Sequence, residues 1–308
     1  MSTALLRYSN QRSNSWGEKI SATSIIKGLI ELLRPKILAA ILLTPIATAF
    51  LAVRGIPPAK ESLLLLCMMT TAIGAAHSFN DYHDRDIDAL NRRTKERPIV
   101  IGVVSPKTAL LYSKLLMIAS VVFAILLNTT EFILILIGIV MIVSYSKKLK
   151  RTRIGFIPPA IGSALLPLGA WAAYSPESVL STTPVLIAII GFCFELQPYW
   201  SDTISDIKGD RERNAYTIPV YYGSKATSRI MLGMYIISFV CLLYLYQVAD
   251  LGIMYLGITL GLGIVVLFGF LDFTLNHNPK KATRQFNMAM GYISLISVVI
   301  ILEMVLGL

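Results

Sequence analysis

Two acidic segments of the sequence carry residue types that could bind a metal ion. The first, NDYHDRDID at residues 80–88, has four aspartates in nine positions directly after an apolar run. Asn80, Asp84 and Asp88 are spaced four residues apart, so on a helix they would stack along one face. Carboxylates about 6 Å apart repel by roughly 3 kcal/mol at an effective dielectric constant of about 20. We therefore expect this row of side chains to bind a cation.

The second acidic segment, SDTISDIKGD at residues 201–210, repeats the pattern. It places Asp202, Asp206 and Asp210 at the same four-residue spacing. Seven of the nine aspartates in the chain lie in these two segments, so the acidic residues are concentrated rather than scattered. Arginines follow both segments, namely Arg92, Arg93, Arg97, Arg211 and Arg213. The parallel predicts a four-helix pseudo-repeat in which two acidic rows face each other across a cavity.

Two facing carboxylate rows beside basic residues suit a diphosphate held through Mg²⁺. This ion usually takes one or two protein carboxylates and completes its octahedron with phosphate oxygens and waters. The basic connection YSKKLKRTR, residues 145–153, could neutralise a leaving diphosphate. The three histidines, His77, His83 and His277, show no zinc-ligand spacing, and NDYHDRDID is not an EF-hand loop.

Membrane-spanning helices must position these segments, because the chain is too apolar for an ordinary soluble domain. Of its 308 residues, 55% are hydrophobic and 15% are charged, and the mean hydropathy is +0.66. The apolar runs are continuous rather than alternating, which favours helices over a barrel. Most runs approach the roughly 20 residues that cross about 30 Å of hydrocarbon. The nine predicted spans are residues 37–54, 61–79, 108–127, 131–146, 154–174, 183–200, 229–248, 250–273 and 288–308.

The distribution of Lys and Arg predicts how these spans are oriented. Six basic residues precede the first span, and the connections after the second, fourth, sixth and eighth spans carry six, five, five and three, whereas the opposite side has only Arg54 and Lys60. We expect a multi-pass membrane protein whose N-terminus and acidic segments face the cytoplasm and whose C-terminus lies on the opposite side. This topology, and not nucleic-acid binding, explains the net charge of +10. Residues 1–30 are predicted to form a cytoplasmic polar tail, and residues 31–308 a single transmembrane domain.

With these motifs and spans, the chain resembles the UbiA-type membrane prenyltransferases. NDYHDRDID is similar to their NDxxDxxxD motif, DTISD to their DxxxD motif, and YSKKLKR to their YxxxxKR element. The order and spacing of the motifs also match, so the resemblance covers nearly the whole chain from about residue 30. It implies an all-α membrane bundle of nine helices that binds a polyprenyl diphosphate through two Mg²⁺ ions. The prenyl group would be transferred to a lipophilic acceptor, with release of diphosphate.

The same resemblance implies roles for individual residues. The metal ligands would be Asn80, Asp84, Asp88, Asp202, Asp206 and Asp210. The diphosphate contacts would be Lys150, Arg151, Arg34 and Arg97. The expected catalytic residues are Asp84, Asp88, Asp202, Asp206 and Tyr145, with Tyr145 beside the developing allylic cation. Asp81 belongs to the first motif but lies one position off the stacked face, so we expect it to orient or cap.

Glu195 is a further candidate, because it lies seven residues before Asp202 and shares its helical face deeper in the bilayer. An intramembrane carboxylate marks a functional site by default. We expect Glu195 to contact the acceptor. The alternative is that it is protonated or hydrogen-bonded to a neighbouring helix.

The acceptor class stays open at this point. DRDIDALNRRTKERP resembles the first motif of protoheme farnesyltransferases. SDTISDIKGDRERNAYTIPVYYG is more similar to the second motif of chlorophyll synthases, archaeal ether-lipid prenyltransferases and quinone-pathway enzymes, with Asn214 where many have Gly. We expect an aromatic or quinone-precursor acceptor, with a glycerol-phosphate lipid, chlorophyllide or protoheme as alternatives. A branch of the family that cyclises its prenyl substrate is another alternative, and a cation-coupled transporter is a distant one.

Overall fold

A computed structural model describes residues 21–89, 94–212, 215–276 and 278–307. Within these ranges the chain forms α-helices, two short 3₁₀ helices and connecting turns, and no strand. The prediction of an all-α fold is therefore confirmed. In chain order the α-helices are α1 (Ala22–Leu32), α2 (Pro35–Val53), α3 (Ala59–Asp88), α4 (Pro106–Leu127), α5 (Thr129–Lys147), α6 (Ile157–Ala172), α7 (Thr182–Ser205), α8 (Ile207–Glu212), α9 (Ile218–Val248), α10 (Ile253–Leu275) and α11 (Pro279–Leu306). The 3₁₀ helices are Leu149–Arg151 and Pro176–Ser178.

Eight helical segments of the described chain are long and apolar enough to cross a membrane. They are α1 together with α2, and then α3, α4, α5, α7, α9, α10 and α11. The ninth predicted span, residues 154–174, coincides with α6, which has 16 residues and a length of about 24 Å. Because about 30 Å of hydrocarbon must be crossed, α6 is shorter than a full span. The chain is a multi-pass membrane protein, whereas the count of nine spans stays a prediction.

Helix α3 explains how the first acidic row is presented. It continues without interruption for 30 residues, from Ala59 to Asp88, which corresponds to about 45 Å. A helix of that length extends beyond about 30 Å of hydrocarbon. Its last turns therefore carry Asn80, Asp84 and Asp88 on one helical face, as their spacing predicts.

The second acidic segment is divided between two helices. Asp202 lies in α7, which ends at Ser205, and Asp206 follows with φ −100° and ψ 6°. Asp210 lies in the short helix α8. The amides of Asp206 and Asp210 still bond to the carbonyls four residues before them, at 3.0 and 2.9 Å. The helix that carries the second row is therefore interrupted at Asp206, so the three aspartates do not form one straight row.

The larger buried cluster joins α2 and α6 to α7, α9, α10 and α11, around side chains such as Trp200. Two buried tyrosines fix the register of α9 against α10. Tyr235 donates to the carbonyl of Gly263 at 2.7 Å, and Tyr255 donates to the carbonyl of Leu242 at 2.9 Å. Since residue numbers rise along one helix as they fall along the other, α9 and α10 are antiparallel. The end of α10 therefore lies beside the start of α9, near the second acidic segment.

At the other end of the bundle, Glu303 of α11 caps helix α10. Its side chain is fully buried and accepts hydrogen bonds from the amides of Gly252 and Tyr255, both at 2.8 Å. These amides belong to the first turn of α10, whose N–H groups have no partner within the helix. The carboxylate thus satisfies donors that lipid could not satisfy.

The predicted polar tail of residues 1–30 overlaps α1. Ser21 begins this helix as its N-cap, with Oγ accepting from the amide of Ser24 at 3.1 Å. Residues 1–20 lie outside the described ranges, so the boundary at residue 30 stays a prediction. Outside the described ranges as well are Arg92, Arg93, Arg213, Asn214 and His277.

Candidate active site

The first acidic row is buried although it consists of charged groups. Asp81, Asp84 and Asp88 are 3%, 6% and 6% exposed, and Asn80 is half-buried. Buried carboxylates need cations or hydrogen-bond donors, because desolvation of an unpaired charge is costly. The partners of this row therefore indicate which basic residues belong to the site.

Lys150 lies against the stacked face of α3. Its Nζ is paired with Asp84 Oδ2 and donates to Asn80 Oδ1 at 3.4 Å. The ammonium group thus lies where we expected a cation, because the carboxylates of the acidic row repel each other. Lys150 reaches this position from the 3₁₀ helix Leu149–Arg151, directly after α5.

Arg97 and Arg34 pair with the remaining carboxylates of the first segment. Arg97 Nη1 lies 2.8 Å from Asp81 Oδ1 and 2.6 Å from Asp88 Oδ2, and Arg34 Nη2 lies 2.5 Å from Asp81 Oδ1. Asp81 therefore joins the two arginines, consistent with the orienting role expected for it. Arg34 adopts a left-handed backbone conformation, φ 53°, at the junction of α1 and α2. This strained junction aims the guanidinium of Arg34 at α3.

Arg151 is placed differently from its neighbour Lys150. Its side chain is exposed, and its carbonyl oxygen accepts a hydrogen bond from the amide of Tyr216 at 2.8 Å. Tyr216 follows the second acidic segment, so this bond ties the basic connection to that side of the site. Of the expected diphosphate contacts, the structure brings Lys150, Arg34 and Arg97 to the first row and leaves the side chain of Arg151 in solvent.

Tyr145 lies between the two acidic segments. The carboxylates of Asp84, Asp202 and Glu195 are all close enough to its hydroxyl for electrostatic interaction. The ring centroid of Tyr145 is 5.6 Å from Lys150 Nζ. Residues from α3, α5 and α7 therefore converge on one tyrosine, so the two segments contribute to a common site.

The second segment is more open than the first. Asp202 and Asp206 are exposed, whereas Asp210 is half-buried and accepts a 3.4 Å hydrogen bond from Thr217 Oγ1. Glu195 is half-buried about two turns deeper in α7 than Asp202. The structure thus brings Asp202 and Glu195 within electrostatic range of Tyr145 and Asp210 within that of Tyr199, and leaves Asp206 exposed.

Gly155 and Tyr199 are parts of the site that the sequence interpretation left out. A Cβ atom on Gly155 would lie 2.6 Å from the carbonyl oxygen of Leu149 and 2.8 Å from the hydroxyl of Tyr199. Only glycine allows the basic connection to fold back on itself and against α7 at this point. Tyr199 lies three residues before Asp202, and that helical spacing is the signal that could have identified it.

The donor set of the first row fits a hard cation. Within the four described ranges, no group of three or more His, Cys, Asp or Glu side chains is arranged as a complete metal cage. The oxygens of Asn80 and Asp84 nevertheless converge on the ammonium of Lys150, which acts as a stand-in cation. Mg²⁺ needs only one or two protein carboxylates when a phosphate supplies the other oxygens. Asp84 meets that requirement, Asn80 adds an amide oxygen, and Asp88 is one turn away.

The fold and this site define a class of protein: an apolar helical bundle in the membrane, with acidic and basic side chains gathered at one end. The chain belongs to the UbiA prenyltransferase family, whose family model matches residues 41–295. The resemblance seen in the motifs is thereby confirmed, and the protein is an enzyme of the prenyltransferase class.

Three curated relatives illustrate the range of the family. Protoheme IX farnesyltransferase of Aeropyrum pernix is 35% identical over 190 residues, which cover 61% of this chain and 62% of that protein. Protoheme IX farnesyltransferase of Orientia tsutsugamushi is 28% identical, with 91% and 90% covered. Digeranylgeranylglyceryl phosphate synthase of Natronomonas pharaonis is 32% identical, with 69% and 75% covered.

Solved structures share the fold. A digeranylgeranylglyceryl phosphate synthase superposes with a TM-score of 0.76 at 19% identity, covering 91% of this chain and 99% of that one. The apo structure of a UbiA homologue from Aeropyrum pernix gives 0.73 at 21% identity, with 87% and 98% covered. A UbiA homologue from Archaeoglobus fulgidus bound to DMAPP and Mg²⁺ gives 0.62 at 19% identity, with 89% and 98% covered.

Proposed function

We propose that the protein transfers a prenyl group from a polyprenyl diphosphate to a lipophilic acceptor, with Mg²⁺ as cofactor and diphosphate as the leaving group. The observation that carries this proposal is the position of Lys150, whose ammonium lies between Asn80 and Asp84. A basic side chain that reaches a buried acidic row can change partners when a diphosphate and its metal ions arrive. The binding of DMAPP and Mg²⁺ by the Archaeoglobus fulgidus homologue supports the choice of ligand and ion.

Mg²⁺ would be held by Asn80, Asp84 and Asp88 of the first segment and by Asp202, Asp206 and Asp210 of the second. When bound, it would neutralise the charge that develops on the leaving diphosphate. Arg34 and Arg97 hold Asp81 and Asp88 in place. Lys150 and Arg151 come from the connection nearest to this row, and both can donate to phosphate oxygens.

The chain itself would stabilise the allylic cation and exclude water. Tyr145 presents an aromatic ring between the two segments, and the face of such a ring attracts a cation. The apolar helices around it keep out water, which would otherwise capture the cation as an alcohol. The nucleophilic atom of the acceptor, instead of water, then forms the new bond to the allylic carbon.

An aromatic or quinone-precursor acceptor suits the charge distribution best. Glu195 lies beside Tyr145 on the deeper side of the site. Its carboxyl group can form a hydrogen bond with a phenol, whereas it offers no positive charge to an acceptor that carries a phosphate. Lys150, Arg34 and Arg97 already face aspartates of the first segment. The second candidate is a glycerol-phosphate lipid, because a relative with that printed activity matches 69% of this chain.

The test is diphosphate release by the purified protein in lipid, with Mg²⁺ and labelled prenyl diphosphates of increasing length. Each donor is combined with aromatic, haem and glycerol-phosphate acceptors. Prenylation of the aromatic acceptor would support the proposal. A prenylated haem or glycerol-phosphate product would show that the acceptor belongs to that class instead. Formation of a cyclic hydrocarbon without acceptor would show that the enzyme cyclises its prenyl substrate instead of transferring it. No Mg²⁺-dependent release from folded protein would refute the chemistry, and ion uptake by vesicles would then favour a transporter.

We also propose that the acidic end of the bundle faces the cytoplasm, with the C-terminus on the opposite side. The excess of Lys and Arg in the connections on the acidic side supports this orientation. One reporter domain is fused to the C-terminus and another is inserted after Gly55. Both reporters should be active on the non-cytoplasmic side of the membrane only. Cytoplasmic activity of the C-terminal fusion would contradict the orientation.

A further inference from the structure

A cleft between α10 and α11 lies apart from the candidate active site. Its volume is about 270 Å³, and none of the residues that line it belongs to either acidic segment. Val265 and Phe268 of α10 and Met288 of α11 form its apolar part. Lys281 and Arg284 of α11 form its basic part. The cleft is therefore amphipathic along its length.

The base of the cleft is tightly packed. Gln285 is 2% exposed and donates from Nε2 to the carbonyl of Val266 at 2.9 Å. A Cβ atom on Gly269 would lie 2.3 Å from Gln285 Oε1, so a side chain here would displace the Gln285 amide group. The opening above this contact is therefore a feature of the helix pair rather than loose packing.

The charges in the cleft do not balance. Lys281 Nζ is paired with both carboxylate oxygens of Asp272, at 2.7 and 2.6 Å. Arg284 lies one turn further along the same face, where its charge also acts on the Asp272 carboxylate. Two basic side chains thus share one carboxylate, and the cleft keeps a net charge of +1 that an anionic ligand could neutralise.

The position of the cleft matches the boundary between lipid headgroups and hydrocarbon. Asp272 lies in the last turn of α10, and Lys281 lies in the first turn of α11. Val265 precedes Asp272 by seven residues, which is about 10 Å deeper along the helix. Phe268 is 66% exposed between these two depths. The basic end therefore lies at the membrane surface, and the apolar end faces acyl chains.

We propose that this cleft binds an anionic phospholipid, with its phosphate on Arg284 and Lys281 and the upper part of one acyl chain along Phe268, Val265 and Met288. Basic pockets between transmembrane helices are suited to anionic headgroups. A free phosphate would satisfy Arg284 but would leave the apolar wall of the cleft uncovered. A phospholipid covers both parts at once.

The experiment is a thermal-unfolding titration of the purified full chain in detergent. Phosphatidylglycerol, phosphatidylcholine with the same acyl chains, and soluble glycerol 3-phosphate are added in separate arms. We expect phosphatidylglycerol to stabilise the wild type at lower concentration than phosphatidylcholine, and glycerol 3-phosphate to have no effect. Arg284→Gln should weaken the apparent affinity for phosphatidylglycerol about fivefold.

Lys107→Gln is the matched control, because it removes one exposed positive charge from the first turn of α4, away from the cleft. It should leave the affinity for phosphatidylglycerol at the wild-type value. Asp272→Asn gives a test of opposite sign, since it frees Lys281 and should strengthen binding. Each affinity is taken relative to the variant's own lipid-free unfolding temperature, so a change in basal stability does not affect it.

Three results would overturn the proposal. Equal losses in Arg284→Gln and Lys107→Gln would mean that only the general surface charge matters. Equal stabilisation by the two phospholipids would show that the headgroup is not recognised. Equal stabilisation by glycerol 3-phosphate would make this a site for free anions rather than for a lipid.

Discussion

Replacing Lys150 with methionine should tighten Mg²⁺ binding to the substrate-free protein while it slows the reaction. Lys150 Nζ is paired with the buried carboxylate of Asp84 and reaches Asn80, so it competes directly with a metal ion. A hydrogen bond to a charged group is worth about 1.5–3 kcal/mol. Removing this competitor should therefore strengthen Mg²⁺ binding roughly 10- to 100-fold.

The same substitution should make stability depend on Mg²⁺. Without the metal ion, Asp84 would be a buried charge without its ammonium partner, which costs about 1–3 kcal/mol. We therefore expect Lys150→Met to unfold at a lower temperature than the wild type in EDTA and to recover when Mg²⁺ is added. Turnover should still fall, because the variant lacks a donor to the leaving diphosphate.

Calorimetric Mg²⁺ titration, thermal unfolding with and without EDTA, and diphosphate release measure these three effects. Lys148→Met is the matched control, because Lys148 is an exposed lysine two positions away on the same connection. If Lys150→Met and Lys148→Met bind Mg²⁺ as the wild type does, Lys150 does not occupy the cation position and the reasoning is refuted.

Three further predictions test other parts of the structure. Asp84→Ala or Asp206→Ala should abolish diphosphate release at saturating Mg²⁺ in protein that remains folded and inserted. The control Asp86→Ala, at an exposed position of the first segment, should retain diphosphate release. Turnover in Asp84→Ala or Asp206→Ala would contradict the metal assignment. Glu195→Gln should raise the KM for the acceptor several-fold with donor binding unchanged, and unchanged steady-state kinetics would leave Glu195 with a structural role only. Glu303→Ala should lower the free energy of unfolding by about 1–3 kcal/mol, because two amides at the start of α10 lose their acceptor. A denaturation midpoint equal to that of the wild type would show that the cap contributes nothing.

Local patterns in the sequence predict most of the helical architecture. The apolar runs coincide with α2 to α7 and α9 to α11, because burial in lipid requires long continuous stretches of apolar residues. The spacing of Asn80, Asp84 and Asp88 likewise predicts their common face, since helical geometry depends only on residue number. The short length of α6 is less apparent, because its flanking residues continue the apolar run although the helix itself stops at Ala172.

The partners of the charged residues could not be predicted in this way. Arg34, Asp81 and Arg97 meet because α1, α3 and the segment after α3 pack together, and no local pattern encodes that packing. The interruption at Asp206 also depends on where α7 ends. Gly155 shows the same limit in part, since the fold of the basic connection brings the Leu149 carbonyl against it and packing against α7 adds the distant Tyr199 hydroxyl.

The cap on α10 has a consequence for how the protein is made. Translation delivers α10 to the membrane before α11, and Glu303 lies in the last helical turns of α11. Until that carboxylate arrives, the first amides of α10 lack the acceptor that they have in the finished protein. A chain that stalls on the ribosome between these helices would therefore hold α10 in the membrane without its capping carboxylate. Insertion of α11 therefore also completes the start of α10.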